Sequence, residues 1–158
     1  MEWKNSPEFK KALTFCGSNI RSESEVRYKI SKFDISDEDK ECILSFLKTY
    51  KFYFDDEVYL EKYFENIELN LGNPNFYKLY TRDKIKNKLL LKRIPSKQID
   101  KFLNNFTKLN EDLMLEKFII KNQRKIQQKE PKLRISYISS KGFNISKVIR
   151  ILKAKNLL

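Results

Sequence analysis

One unit recurs three times along this chain of 158 residues and fixes most of what it can fold into. A helical segment ending in Leu or Ile is followed four residues later by a turn residue. An apolar residue, a cap and a second helix with an apolar pair come next. The unit reads Ile30, Asp34, Ile35, Ser36 and Ile43-Leu44, then Leu89, Arg93, Ile94, Ser96 and Phe102-Leu103, then Ile138, Gly142, Phe143, Ser146 and Ile151-Leu152. Offsets of 59 and 49 residues superpose the apolar positions without a gap inside the unit. One position resists, because Ile85 falls on Arg134. Helical units recurring at about 50 residues cannot bury their apolar faces alone and stack on one another.

The local signals are helical throughout. Ser6-Pro7 is an N-cap with Pro at the first helical position, and it opens a helix through about Phe15. Ser22 and Glu25 have capping-box spacing, for a helix with Val26 and Ile30 on one face. Asp34 stands where the chain reverses and is expected at positive φ. Ser36 restarts a helix to about Tyr50, and Asp55-Asp56 caps a long one through Ile67. Asn70, Gly72, Asn73, Pro74 and Asn75 mark a loop, and Thr81 begins the next helix, with Ile85 and Leu89 inward. Ile94-Pro95-Ser96 breaks that helix and caps another. Asn110 opens a long helix to about Gln128, Pro131 one that Gly142 stops, and Asn144 to Ser146 the last. Lys51-Phe52-Tyr53-Phe54 is the one stretch with strand character. Eight or nine helices and no sheet make the chain all-α. It is expected as three tandem three-helix repeats over 1–53, 54–108 and 109–158, in an elongated row, straight or curved.

Composition excludes several classes of chemistry. There is no His, so no Ser-His-Asp triad, Cys-His dyad or His-ligated zinc. Three scattered glycines cannot build a Walker A loop or a dinucleotide turn. Cys16 and Cys42 are too few for a thiolate cage and read as free thiols of a reducing compartment. No run approaches the roughly 20 apolar residues that span a bilayer, and the start of the chain lacks the apolar core of a secretory signal. The expectation is a soluble cytoplasmic monomer with no cofactor and no enzymatic activity.

The net charge of +12 is unevenly placed. Residues 1–80 carry 12 Lys+Arg and 15 Asp+Glu, whereas residues 81–158 carry 21 and 6. A general bias toward Lys would not strip acids from one half. The second half is therefore a candidate surface for a polyanion. On a helical wheel over 111–127, Lys117, Lys121 and Arg124 oppose the apolar Leu115, Phe118, Ile119 and Ile126, with Lys125 at the edge. Lys84, Lys88 and Lys92 form a second stripe, supported by Arg93. Arg134, Lys141, Lys147 and Arg150, with Lys132, form a third group. Tyr137 and Phe143 lie among these cations and are candidate base-stacking side chains, while Phe46, Phe64, Phe102 and Phe118 have core spacing. Asp55-Asp56-Glu57 with Glu61, Glu65 and Glu68 is an acidic stripe. Paired carboxylates can hold Mg²⁺, but no other catalytic group accompanies these, and they read as a cap and a solvated face.

The order of motifs resembles the RecX family of regulators of the RecA recombinase. Ala12-Leu13, Arg21-Ser22, Glu25-Val26 and Lys29-Ile30 are similar to that family's first-repeat signature. Asp55-Asp56 with Tyr59 resembles the motif opening its second repeat, and Lys141-Gly142-Phe143 the turn of its third. The chain departs from the pattern at Asp34 and Arg93, where the family often has Gly, at Lys40, and in a longer loop at 72–80. The resemblance implies a regulatory protein that binds the RecA–DNA filament, contacts single- or double-stranded DNA weakly and electrostatically, and inhibits RecA's recombinase and ATPase activities. The alternative is a freestanding helix-turn-helix regulator with Lys51–Phe54 in a β-wing.

Overall fold

Of the caps read in the repeat, Ser36 stands, while Ser96 and Ser146 lie inside their helices and the caps fall one and two residues earlier, at Pro95 and Asn144. In a computed structural model describing residues 2–73 and 80–158, the second helix of each unit has its N-cap at Ser22, Thr81 and Glu130. The third helix has its N-cap at Ser36, Pro95 and Asn144. Both sets obey the offsets of 59 and 49. Where the cap carries a short oxygen it accepts from the first turn: Ser22 Oγ from Glu25 N at 3.3 Å, Thr81 Oγ1 from Lys84 N at 3.2 Å, Ser36 Oγ from Asp39 N at 3.1 Å.

A short 3₁₀ turn (Glu2–Asn5) leads into α1 (Pro7–Gly17), α2 (Glu23–Ser31) and α3 (Asp37–Thr49). The second unit has α4 (Asp56–Gly72), α5 (Arg82–Leu91) and α6 (Ser96–Asn105). The third has α7 (Glu111–Lys121), a short α8 (Gln123–Gln127), α9 (Pro131–Ser139) and α10 (Ile145–Ala154). Each set of helices closes on its own core. Val26, Ile30, Ile43 and Leu47 centre the first, Leu60, Ile85, Leu89 and Ile99 the second, and Leu115, Ile119, Ile138 and Leu152 the third. Helices that pack at length on one another do so within a unit. The exposed surface is 10398 Å², against roughly 8400 Å² for a compact monomer of this mass, as expected of units arranged in series.

Several local expectations are corrected. Pro74 and Asn75 of the expected loop lie outside the described residues. The expected helix from Asn110 to Gln128 breaks at Asn122, whose side-chain amide donates to the Phe118 carbonyl at 2.8 Å, turning one wheel into two. Asp34 keeps a negative φ; the left-handed residues are Arg93 (φ 67°), Gly142 (φ 92°), Lys51 (φ 57°) and Asn156 (φ 54°). Lys51 and Asn156 end α3 and α10 in the same way: the next N–H reaches back to Leu47 O at 2.9 Å and to Leu152 O at 2.9 Å. The strand-like stretch at 51–54 makes one parallel bridge, Phe54 to Ser22, and builds no wing among the described residues.

Arg134 explains the misfit in the repeat. It occupies the place of Val26 and Ile85, but its guanidinium donates to Lys129 O at 2.7 Å, Leu157 O at 2.6 Å and Gln127 O at 3.0 Å. It closes the third unit with hydrogen bonds where the other two use an apolar side chain.

Burial pushes the Cys16 thiol up to about 11, with Arg21 opposing and Glu25 adding to the effect. A raised thiol pKa stabilises the fold fully below the ordinary value of 9.0 and progressively less as pH climbs toward 11. A thiol reagent at pH 8 is expected to modify half-buried Cys42 in the native protein and Cys16 only after unfolding, as read by mass spectrometry. Gly142 is a sharper test of the third unit. A Cβ there would lie 2.8 Å from Thr81 Oγ1 and 3.1 Å from Lys84 Cγ, on a backbone L side chains avoid. Gly142→Ala is expected to lower the urea midpoint by an amount equivalent to about 1–2 kcal/mol. Gly17→Ala, whose Cβ meets nothing within 4 Å, is expected to be neutral or stabilising.

Candidate nucleic-acid interface

The first two helical N–H groups of a helix have no partner inside it. In α2 those of Glu23 and Ser24 are taken by the next unit: Glu23 N donates to Phe54 O at 2.8 Å and Ser24 N to Asp56 Oδ1 at 3.0 Å. In α5 the Arg82 N–H, equivalent to that of Glu23, donates to Glu111 Oε1 at 2.8 Å, again from the following unit. In α9 the equivalent position is Pro131, which has no N–H. Asp56 therefore caps the preceding unit's helix, while its neighbour Asp55, the N-cap of α4, pairs with Lys48 at 2.8 Å instead of capping its own helix. The Lys48 ammonium holds the Asp55 carboxyl below the usual carboxylate range.

These joints take up several cations that sequence places on the binding surface. Lys92 Nζ lies 2.8 Å from Glu25 Oε2, and Arg21 lies 2.7 Å from the other oxygen, with all three side chains less than one-fifth exposed. The Glu25 carboxylate thus faces two cations from two units, where a complete capping box would turn it back to Ser22. Arg93 stacks on Tyr28 at 4.2 Å, also across the joint. Lys147 contacts Glu111 at 3.1 Å and Asp112 at 3.6 Å, and Arg150 reaches Asp112 at 2.5 Å. The Arg150 hydrogen bond is the main cause holding the Asp112 carboxyl below its usual range. With Arg134 clamped on carbonyls, Lys92, Arg93, Arg134, Lys147 and Arg150 all have internal partners, and Lys88 lies over the Tyr63 ring at 5.5 Å.

The remaining cations gather on the third unit. Lys117, Lys121, Arg124 and Lys125 are exposed along α7 and α8, on either side of the break at Asn122. Lys125 and Lys141 approach the Tyr137 ring at 5.3 and 5.2 Å, and Lys129 joins them at 5.2 Å. Sequence reading missed Lys129, which follows the end of α8 and whose place near Tyr137 depends on the turn into α9. Lys84 faces the same edge: burial, then the nearby Lys141, pushes its pKa down. The stripe Lys84, Lys88 and Lys92 thus fans out, toward unit three, toward its own unit and toward unit one.

The acidic stripe is partly satisfied within its own unit. Glu57 pairs with Lys101 at 3.2 Å and Glu68 with Lys108, while Glu61 and Glu65 lie exposed. Among the described residues no three His, Cys, Asp or Glu side chains gather as a metal site, and no helix is long and apolar enough to cross a membrane.

Fold and surface together define an all-helical protein of serial small bundles, with acidic joints and a cationic third unit. No family model matches the chain. It is similar to the regulatory protein RecX of Clostridium acetobutylicum, at 27% identity over 151 residues, 90% of this chain. The chain spans 66% of that relative's length. A solved structure of a RecX regulatory protein superposes with a TM-score of 0.62 over 93% of this chain and 70% of its own, at 23% identity, and shows the same fold. In sequence the chain is similar to a RecX regulatory protein, and it shares the RecX fold.

The joint is testable through Glu25. Glu25→Gln keeps the shape and removes the charge between Arg21 and Lys92, and is expected to cost about 1–2 kcal/mol in urea unfolding. Glu61→Gln, on the exposed stripe, is expected to change the midpoint little.

Proposed function

We propose that the protein is a non-enzymatic regulator that binds the RecA–DNA filament and inhibits RecA's recombinase and ATPase activities. The three repeats, 1–53, 54–108 and 109–158, are its working divisions. The supporting observation is the likeness to RecX along nearly the whole chain, joined to the uneven distribution of charge. Residues 109–158 hold 12 Lys+Arg against four Asp+Glu, and two of those acids, Glu111 and Asp112, are held in the joint and its ion pairs. Such a unit suits the phosphate face of a filament, while the more nearly neutral units ahead of it suit protein subunits. Serial units let several weak contacts add through effective concentration.

The test is RecA-catalysed ATP hydrolysis on single-stranded DNA. Stoichiometric addition of the protein is expected to lower the steady-state rate and slow filament growth. A rate indifferent to the protein over that range overturns the reading. Lys121→Ala, Arg124→Ala and Lys125→Ala combined is expected to weaken inhibition while leaving the thermal unfolding midpoint unchanged.

A further inference from the structure

We propose that the second joint is an electrostatic hinge: the third unit swings against a rigid pair formed by the first two, because like charges, Lys84 and Lys141, stand where the first joint has an ion pair. The hinge belongs to the free chain and does not depend on the partner proposed above.

The repeat makes the two joints comparable position by position. Offsets of 59 and 49 residues map Glu25 onto Lys84 and Lys92 onto Lys141. In the first joint the Lys92 ammonium lies 2.8 Å from the Glu25 carboxylate, and both side chains are less than one-fifth exposed. The same two places in the second joint hold two ammonium groups, and neither has a carboxylate ion pair among the described residues. The same offsets map Arg93 and Tyr28, stacked at 4.2 Å, onto Gly142 and Asn87, and glycine has no side chain to reach across. Ser24, whose N–H and hydroxyl both donate to Asp56, maps onto Asp83, whose carboxylate has no proton to give. One contact recurs, the backbone donor: Glu23 N to Phe54 O, and Arg82 N to Glu111 Oε1.

These differences make one joint stiff and the other a pivot with a spring. Two separate parts of the second unit, 54–56 and 92–93, hold α2 at its start and again at Tyr28, so the first joint resists rotation. In the second joint the third unit meets the start of α5 alone. Glu111 takes the Arg82 donor, and a Cβ on Gly142 would lie 2.8 Å from Thr81 Oγ1 and 3.1 Å from Lys84 Cγ. Met114, packed against both cores, completes the pivot. The spring is the repulsion between Lys84 and Lys141: partial burial, then the Lys141 charge, lowers the Lys84 pKa, so the two ammonium groups feel each other across the joint. Closing the joint brings them together and opening it separates them. Both are within reach of solvent, where the screening length falls from about 10 Å at 0.1 M salt to about 3 Å at 1 M, so salt slackens the spring and the joint closes. The desolvated Glu25 pair is screened far less. The cationic third unit can therefore change its angle while the two units ahead of it keep theirs.

The test places nitroxide labels on exposed positions of the full chain, in a Cys42→Ser background with buried Cys16 left in place. Thr14→Cys with Gln98→Cys reports the first joint, and Gln98→Cys with Ala154→Cys the second, as distance distributions from electron–electron resonance. For the otherwise unaltered chain at low salt, the 98–154 distribution is expected to be roughly twice as broad as that of 14–98. Between about 0.1 and about 1 M sodium chloride it is expected to narrow while 14–98 stays unchanged. Lys84→Glu sets an acid opposite Lys141, as Glu25 stands opposite Lys92, and is expected to narrow 98–154 by about half at low salt. Glutamate there also completes a capping box with Thr81, so Lys84→Glu combined with Lys141→Glu separates the two effects. The hinge predicts that the double variant returns to the broad distribution, whereas capping alone keeps it narrow. Equal widths at the two joints, a 98–154 width unmoved by salt, or a double variant as narrow as Lys84→Glu overturns the hinge. Thermal melts accompany each variant. If the double variant does not fold, Lys84→Met decides, because it removes one charge and adds no cap: a narrower 98–154 distribution supports the hinge and an unchanged one overturns it.

Discussion

The joints depend on one electrostatic fact: a helix begins with N–H groups that it cannot satisfy itself. Each second helix that has a unit after it hands those donors to that unit. Glu23 and Ser24 give theirs to Phe54 and Asp56, and Arg82 gives its own to Glu111. Each unit has its own buried apolar core, with Met114 packed against both the second and the third, and these polar contacts, with Lys92 on Glu25 and Gly142 against Thr81, help set how one bundle follows another. Desolvated and charge-assisted bonds of this kind have strict geometry, which area-driven packing lacks.

The fold was largely legible because both of its periods are local. Apolar spacing located the helices, and the repeat located their starts to within two residues, naming Ser36, Ser96 and Ser146 where the caps are Ser36, Pro95 and Asn144. What sequence could not show was direction. Asp55 and Asp56 look alike as helix-opening acids, yet one serves Lys48 and the other a helix 32 residues earlier. The break at Asn122 was hidden for a similar reason, since Asn is an ordinary helix resident until its amide finds a carbonyl one turn back.

The candidate site was legible as a region and illegible as a constellation. Charge counting singled out the second half, but a wheel or a stripe cannot say which lysine meets a carboxylate in space. Lys92, Lys147 and Arg150 are consumed by acids that lie 36 to 67 residues away. Lys129 stood in no stripe and reaches Tyr137 only because the chain turns there. One surplus of positive charge has two outcomes: Lys92 and Lys147 meet carboxylates at the joints, whereas Lys125, Lys129 and Lys141 gather around the Tyr137 ring.

Pro131 gives the row a polarity. At the N-termini of α2 and α5 the backbone donor lies on the earlier bundle and its acceptor on the later one, so that part of the connection has a socket and a plug. With proline at the first position of α9, the third bundle keeps a plug in Glu111 and has lost the corresponding socket. A further bundle of the same kind, grafted behind α10, would find one backbone donor, that of Lys132, where α2 offers two. Building such a joint in full therefore requires replacing Pro131.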